Sequence, residues 1–277
     1  MAIVTISQQL GSGGTEVGMA VADRLGYCFV DHKRFQEGAH RYGLETDRLW
    51  HLEEERPSLF ERFDGETRRY LAVIKSVLYE IAEDDRAVVI GRGGQWLLRD
   101  VPHVLRARVV APAGVRATAL LKLLSEQGGE RIGAHVAARM VQHDDAQKAK
   151  RMRYLFDVEL NDPNLYHLVI NTGELDRGAA VELIADLVQR QPQFVLSESG
   201  KQMVVDRSLV ARVEVVLAGH PITRKYQVEV DARCGVVTLE GSPAALEHAE
   251  TAIRDLPGVQ EMRLRAVEVP PMPSFVG

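Results

Sequence analysis

Cysteine is scarce. Only Cys28 and Cys234 occur in 277 residues, which excludes a disulfide scaffold, and their separation excludes a zinc-binding cluster. Two reduced, largely buried thiols are expected. Aromatic residues make up only 6%, and no apolar run approaches the ~18 residues of a membrane span. The opening Met-Ala-Ile-Val-Thr-Ile-Ser lacks a basic segment and soon turns polar, so no secretory signal is expected. Neither charge dominates: 34 Lys and Arg stand against 39 Asp and Glu, a formal net charge of −5. That balance argues against a nucleic-acid partner or an acidic membrane surface. Histidines are scattered without a His-Glu-x-x-His pair, and His40, His51 and His103 read as surface or half-buried residues. What is present, 45% hydrophobic and 26% charged residues, is ordinary for a globular protein and excludes wholesale disorder. A cytoplasmic protein is expected.

Organisation follows from periodicity. Ala2–Ile6 is short, β-branched and apolar on both faces, as a central strand of a parallel sheet should be. The stretch Ser7-Gln-Gln-Leu-Gly-Ser-Gly-Gly14 comes next, then Val17, Val21, Ala22 and Leu25 at helical spacing, then Gly26 as a stop. Tyr27–Val30, Ala87–Ile90, Ala107–Val110 and His167–Ile170 read as further buried strands. Between them the sequence is helical, including an amphipathic helix from Tyr70 to Asp84 and a solvated Glu53-Glu54-Glu55. Strands alternating with helices predict a three-layer α/β domain with functional loops at the carboxyl ends of the strands.

After Arg190-Gln-Pro-Gln193 the pattern changes. A helix over 206–217, two alternating strands at 226–230 and 237–240, a turn over 231–235, a helix over 244–255 and a last strand over 262–267 predict a small α+β unit. The division 1–194 and 195–277 follows, with a loose tail from Pro270.

The glycine loop carries the chemistry. A loop that follows a first parallel strand and opens a helix offers free backbone N–H groups and the positive end of the helix dipole, which together bind phosphate. Glycines there could also simply make a tight turn. Gly11 and Gly13 fit the first two positions of a dinucleotide fingerprint, with Asp31 as its acid, but Glu16 stands where the third glycine belongs. The triphosphate loop GxxxxGK[ST] is not met either, since no lysine precedes Lys33. On the loop alone, both readings stay open.

Taken together, Ile3–Gly18, Tyr27–Asp31, Val88–Gly93, His143–Tyr154, Asp162-Pro163 and Tyr166–Thr172 resemble the cytidylate kinase-like family, a diverged branch of the P-loop nucleoside monophosphate kinases. The resemblance covers about residues 1–190 with its motifs in the expected order. It implies a P-loop kinase-like parallel sheet, ATP and Mg²⁺, a nucleotide and a small-molecule acceptor. Gly11, Ser12, Gly13, Gly14 and Thr15 would bind the donor phosphates, and Arg92, Lys148 and Arg151 would be catalytic. Asp31, Arg92, Asp145, Lys150 and Arg153 would serve the acceptor and lid, while Arg116, Asn171 and Thr172 would flank the base. Arg116 reads alternatively as a solvated helix-surface residue. Glu16 is the candidate Mg²⁺ ligand, and equally an acid that would repel a triphosphate.

The departures are specific. Gly14 takes the usual lysine position, Glu16 the Ser/Thr position, Thr15 replaces the arginine of the diverged branch and Gln8 another. Gly93 replaces an aspartate tied to cytidine selectivity, and Lys148 replaces the lid arginine's planar fork with a point charge. Residues 205–268, through Tyr226–Val230, Gly235–Gly241 and Pro257-Gly258-Val259, resemble a BON domain, implying a regulatory or assembly module and a homo-oligomer or protein partner. Without a polybasic stripe, strong binding to an anionic membrane is not expected. Three functions follow: an ATP-dependent kinase of a nucleoside monophosphate or similar acceptor, a catalytically weakened nucleotide sensor, or an envelope-associated scaffold.

Overall fold

The computed structural model describes residues 2–44, 65–126 and 132–267. Glu53–Glu55, His51 and the tail from Pro270 lie outside them.

Five strands form one parallel sheet: β1 (Ile3–Gln8), β2 (Cys28–Val30), β3 (Ala87–Ile90), β4 (Val104–Val110) and β5 (Leu168–Asn171), in the order β2-β3-β1-β4-β5. β1 is therefore central, as its burial on both faces requires. Ala2, Val4 and Ile6 join Val88, Leu105 and Ile170 beneath helices α1 (Gly14–Leu25) and α7 (Arg177–Arg190). On the opposite face Ile3, Val89 and Val104 pack with α2 (His32–Arg41), α3 (Gly65–Asp84) and the short α4 (Gly94–Leu97). Helices α5 (Ala113–Glu126) and α6 (Ala134–Phe156) pair through Ala117, Leu120, Ala137 and Val141. The chain leaves β1 toward β2 and β3 on one side and toward β4 and β5 on the other. This makes the carboxyl end of β1 the topological switch point, where open α/β sheets bind ligands.

The second sheet has the order β6 (Val228–Arg233), β7 (Val236–Gly241), β8 (Glu261–Ala266), with β6 antiparallel and β8 parallel to β7. Helix α9 (Pro243–Ile253) makes the β7-to-β8 crossover. The predicted turn over 231–235 shrinks to Cys234 and Gly235, with φ of 49° and 79°. Asp231 and Arg233 look like turn residues but lie in the ladder, opposite Thr238 and Val236. Both cysteines are free, yet not both buried as expected: Cys234 is exposed at this turn and Cys28 half-buried.

Helix α8 (Glu198–Gly219) is longer than the predicted 206–217 because Ser197 caps it, its Oγ accepting from the Gly200 N–H at 3.1 Å. Ser-Glu-Ser-Gly reads as linker but starts a helix. α8 faces two ways: Val204 and Ala211 enter the core beside α3, while Leu209, Val213 and Leu217 enter the core of the small sheet. Lys75 and Glu214 pair at 2.9 Å across the α3–α8 contact.

His103, expected at the surface or half-buried, is 1% exposed, and neither ring nitrogen has a hydrogen-bond partner among the described residues. Burial pushes its pKa below the ordinary value of 6.5. The neutral ring is therefore favoured in the fold, so its contribution is complete above ~6.5 and is lost as pH falls below that value. His167, also shifted down by burial and Arg106, acts in the same direction. Thermal melts between pH 8 and pH 5 should show a falling Tm, with a slope of at most ~1.4 kcal/mol per unit for each group. His103→Leu should flatten that fall. An unchanged slope would contradict the assignment.

Candidate active site

Gly11 (φ 80°) and Gly13 (φ 78°) turn the chain from β1 into α1 through left-handed backbone. A Cβ at Gly11 would lie 2.5 Å from the Arg116 carbonyl oxygen, and one at Gly14 would lie 2.6 Å from the Gln8 Cβ. The loop is thus fitted to the absence of side chains. Its polar residues hold the shape: Ser12 Oγ donates to the Gln9 carbonyl at 2.8 Å, and Gln8 Nε2 donates to Thr15 Oγ1 at 2.7 Å. Thr172 Oγ1, from the end of β5, donates to the Ser12 carbonyl at 2.6 Å. Asn171 Oδ1 accepts from the Gly173 N–H and shapes its own turn.

Arg116 is 4% exposed, which removes its solvated reading. Its Nε donates to the Ala111 carbonyl at 2.8 Å, and its two terminal nitrogens meet the Asp145 carboxylate at 3.1 and 2.7 Å. This bidentate pair ties α6 to the floor of the loop, so Asp145 anchors α6. One turn along α6, Lys148 Nζ lies 2.9 Å from Asp144 and donates to the Gln8 carbonyl at 3.2 Å. A lysine therefore reaches the loop from α6. Arg153 points elsewhere, paired with Glu159 at 2.6 Å and largely exposed. Lys150 is exposed on α6.

Across the sheet end, Arg92 sits between Gly91 and Gly93 with φ of 58°, rare for a residue with a side chain. Its guanidinium lies 5.2 Å above the Phe35 ring. Burial, and the like charge of Arg151, hold its pKa down at about 10. Asp31 caps α2, accepting from the Arg34 N–H at 2.8 Å at the end of β2. Glu16, exposed in the first turn of α1, lies 3.4 Å from Arg177.

The glycine loop thus follows β1 at the switch point, Lys148 reaches it from α6, and Arg92 follows the neighbouring strand β3. The model of the family described as cytidylate kinase-like matches residues 3–174. The chain belongs to the cytidylate kinase-like family. The cytidylate kinase of Archaeoglobus fulgidus is 24% identical over 188 residues, covering 67% of this chain and 94% of that one. The cytidylate kinase of Methanocaldococcus jannaschii is 25% identical over 189 residues, covering 67% and 97%. An uncharacterized protein from Eubacterium ventriosum, 16% identical, superposes with a TM-score of 0.51 over 69% of this chain and all of that one. The domain has a kinase-like nucleotide-binding fold, related to that of the cytidylate kinases.

Two arginines near this family member's site escaped the sequence reading. Arg108, in β4, is 4% exposed and bonded to neutral groups: Ser7 Oγ at 2.9 Å, the Tyr166 hydroxyl at 3.3 Å and Asn161 Oδ1 at 2.7 Å. A cation within the apolar run Ala107–Val110 was its only sequence signal. Arg177 opens α7, and a Cβ at Gly13 would lie 2.6 Å from its Nε. Nothing local in sequence connects position 177 to the loop.

Proposed function

We propose that this protein transfers the γ-phosphoryl group of ATP to a nucleoside monophosphate or a similar small phosphorylated acceptor. The observation that carries the reading is Lys148: its ammonium reaches the glycine loop and supplies the cation that Gly14 removed. The N–H groups of Gly11, Gly13, Gly14 and Thr15 hold the donor phosphates, with the positive end of α1 behind them, while the Ser12 N–H is spent on the Gln9 carbonyl. Arg92 and Arg151 hold the acceptor phosphate, and Asp31 orients the acceptor's ribose. Arg116 and the Asn171-Thr172 turn border the base, Arg116 by its packed position rather than by a free donor. The bond between the β-bridging oxygen and the γ-phosphorus breaks as an acceptor phosphate oxygen bonds to that phosphorus, giving ADP and a diphosphate. Positioning and charge stabilisation dominate such a transfer.

No group of three or more metal-ligating side chains occurs among the described residues. That fits Mg²⁺ arriving with the nucleotide, since this ion binds through phosphates plus one or two carboxylates, and Glu16 is the acid at the loop. When bound, the ion neutralises phosphate charge.

The sensor alternative rests on Gly14 and Glu16, the positions that depart from an ordinary kinase loop. The C-terminal unit, read as BON-like, would then relay or assemble rather than catalyse, through a second copy or a protein partner. Its outer strands carry both signs, with Glu229, Asp231, Arg263 and Arg265 exposed, which supports a protein contact over a membrane surface. No helix among the described residues is long and apolar enough to cross a membrane. The cytoplasm, where both substrates occur, is the setting this reading implies.

Calorimetric titration with MgATP, then with CMP and other monophosphates, tests the reading. Binding of MgATP, weakened about tenfold by Lys148→Ala, is expected from the loss of one charge-assisted contact. No binding at millimolar nucleotide would overturn it, and binding without turnover would favour the sensor.

A further inference from the structure

Glu16 presents the nucleotide reading with its main electrostatic difficulty: a carboxylate in the first turn of α1, beside the cradle that would hold a triphosphate. Its partner in the structure is Arg177, with 3.4 Å between Arg177 Nη1 and Glu16 Oε1, and both side chains are about half exposed (54% and 55%). Arg177 is also the side chain that lies against Gly13, close enough that a Cβ there would meet its Nε at 2.6 Å. The guanidinium therefore rests on the loop itself.

Its place in the chain is electrostatically unfavourable. Arg177 is the first residue of α7, where the helix dipole favours an anion over a cation. Asp176 caps that helix by accepting from the Ala179 N–H at 2.9 Å, so its carboxylate is already engaged. α1 and α7 lie side by side against the sheet, so two positive helix ends and a guanidinium converge at the loop with Glu16 as their counter-charge.

We infer that Arg177 is a donor-phosphate residue and that Glu16 is its placeholder. In the free protein the carboxylate holds the guanidinium over Gly13. When a triphosphate enters, its oxygens replace the carboxylate on Arg177. Glu16 is thereby offset while the site is empty and released when the phosphates arrive, where it can turn to the accompanying cation. The departure at position 16 thereby becomes a compensated one: a second cation joins Lys148 at the loop, brought by α7 and held by the acid that replaced the hydroxyl. The inference rests on the nucleotide reading above and adds to it a residue outside every matched motif.

The test is calorimetric titration of metal-free ATP, in EDTA, into the full chain and its variants Arg177→Ala, Glu16→Gln and the double variant. Omitting Mg²⁺ separates the electrostatic role of Glu16 from any role as a metal ligand. Arg177→Ala should weaken ATP about tenfold or more, because it removes a charge-assisted contact and leaves Glu16 facing the phosphates. Glu16→Gln alone should tighten binding, and in the Arg177→Ala background it should recover most of the loss. Arg177→Lys, which keeps the charge, should bind more tightly than Arg177→Ala, and thermal melts should show each variant folded. Wild-type binding untouched by Arg177→Ala would overturn the inference and leave the nucleotide reading standing. So would a double variant as weak as Arg177→Ala. Absence of wild-type binding would instead remove the nucleotide reading itself.

Discussion

Arg92→Gly should lose phosphoryl transfer by about a thousandfold while the chain still folds. The backbone at this position favours glycine. Its φ of 58° costs about 1–2 kcal/mol in a residue with a Cβ, and glycine removes that cost. Its charge is half-buried and opposed by Arg151, which is why its pKa sits near 10. The stacking on Phe35 at 5.2 Å is worth ~0.5–1 kcal/mol and is lost. Glycine relieves the backbone while the side chain's contacts are lost, so thermal melts should show a folded variant. Activity kept within tenfold of wild type would contradict the role proposed for Arg92. Arg92→Lys, a point charge in place of a fork, should retain only part of the activity.

Gly11→Ala should abolish nucleotide binding and destabilise the domain by ~2–4 kcal/mol. Two costs add there. The backbone is left-handed at φ 80°, and the new Cβ would lie 2.5 Å from the Arg116 carbonyl oxygen. Arg116 cannot withdraw cheaply, because its guanidinium is locked to Ala111 and to Asp145. Either the loop or α5 must move, and the cradle opens in both cases. Gly26→Ala is the control: it has a similar φ of 66° with nothing within 4 Å of a Cβ. It should cost only ~1 kcal/mol and leave nucleotide binding unchanged. Chemical denaturation and titration of the two variants side by side isolate the steric part. Equal behaviour of the two would mean that the close approach to Arg116 does not matter.

The fold was legible in sequence wherever burial on both faces left a continuous apolar run. Ile3–Ile6, Ala87–Ile90 and the glycine loop after β1 are of this kind, and their parallel pairing follows from the helices between them. β4 starts at Val104 rather than Ala107 because Arg106 interrupts the apolar run there, although it lies within the strand. α8 was underestimated because Ser197-Glu-Ser-Gly200 has linker composition, whereas Ser197 is a cap. The helix also serves two cores on different faces, which blurs its periodicity. His103 departs from expectation because polarity predicts exposure on average, and this ring is enclosed without a hydrogen-bond partner among the described residues.

The site divides in the same way. Local motifs carried Gly11–Thr15, Arg92 and the basic segment of α6, since their chemistry lies in neighbouring residues. The direction each side chain takes was not local. Lys148 reaches the loop while Arg153, five residues on, pairs with Glu159 away from it. Arg116 proved buried through an ion pair with a residue 29 positions away. Arg177 meets the loop only because α7 packs beside α1, a fact of topology that no spacing in the sequence expresses.

The central claim is that a loop without its lysine still serves phosphoryl transfer, with cations brought from α6 and from the end of β3. The most direct measurement is a coupled assay of ADP release from MgATP in the presence of CMP and each other nucleoside monophosphate in turn, using wild type and Arg92→Ala in parallel. The account predicts acceptor-dependent turnover in the wild type that disappears in Arg92→Ala. Acceptor-independent ADP release, or none with any monophosphate despite tight MgATP binding, would contradict it.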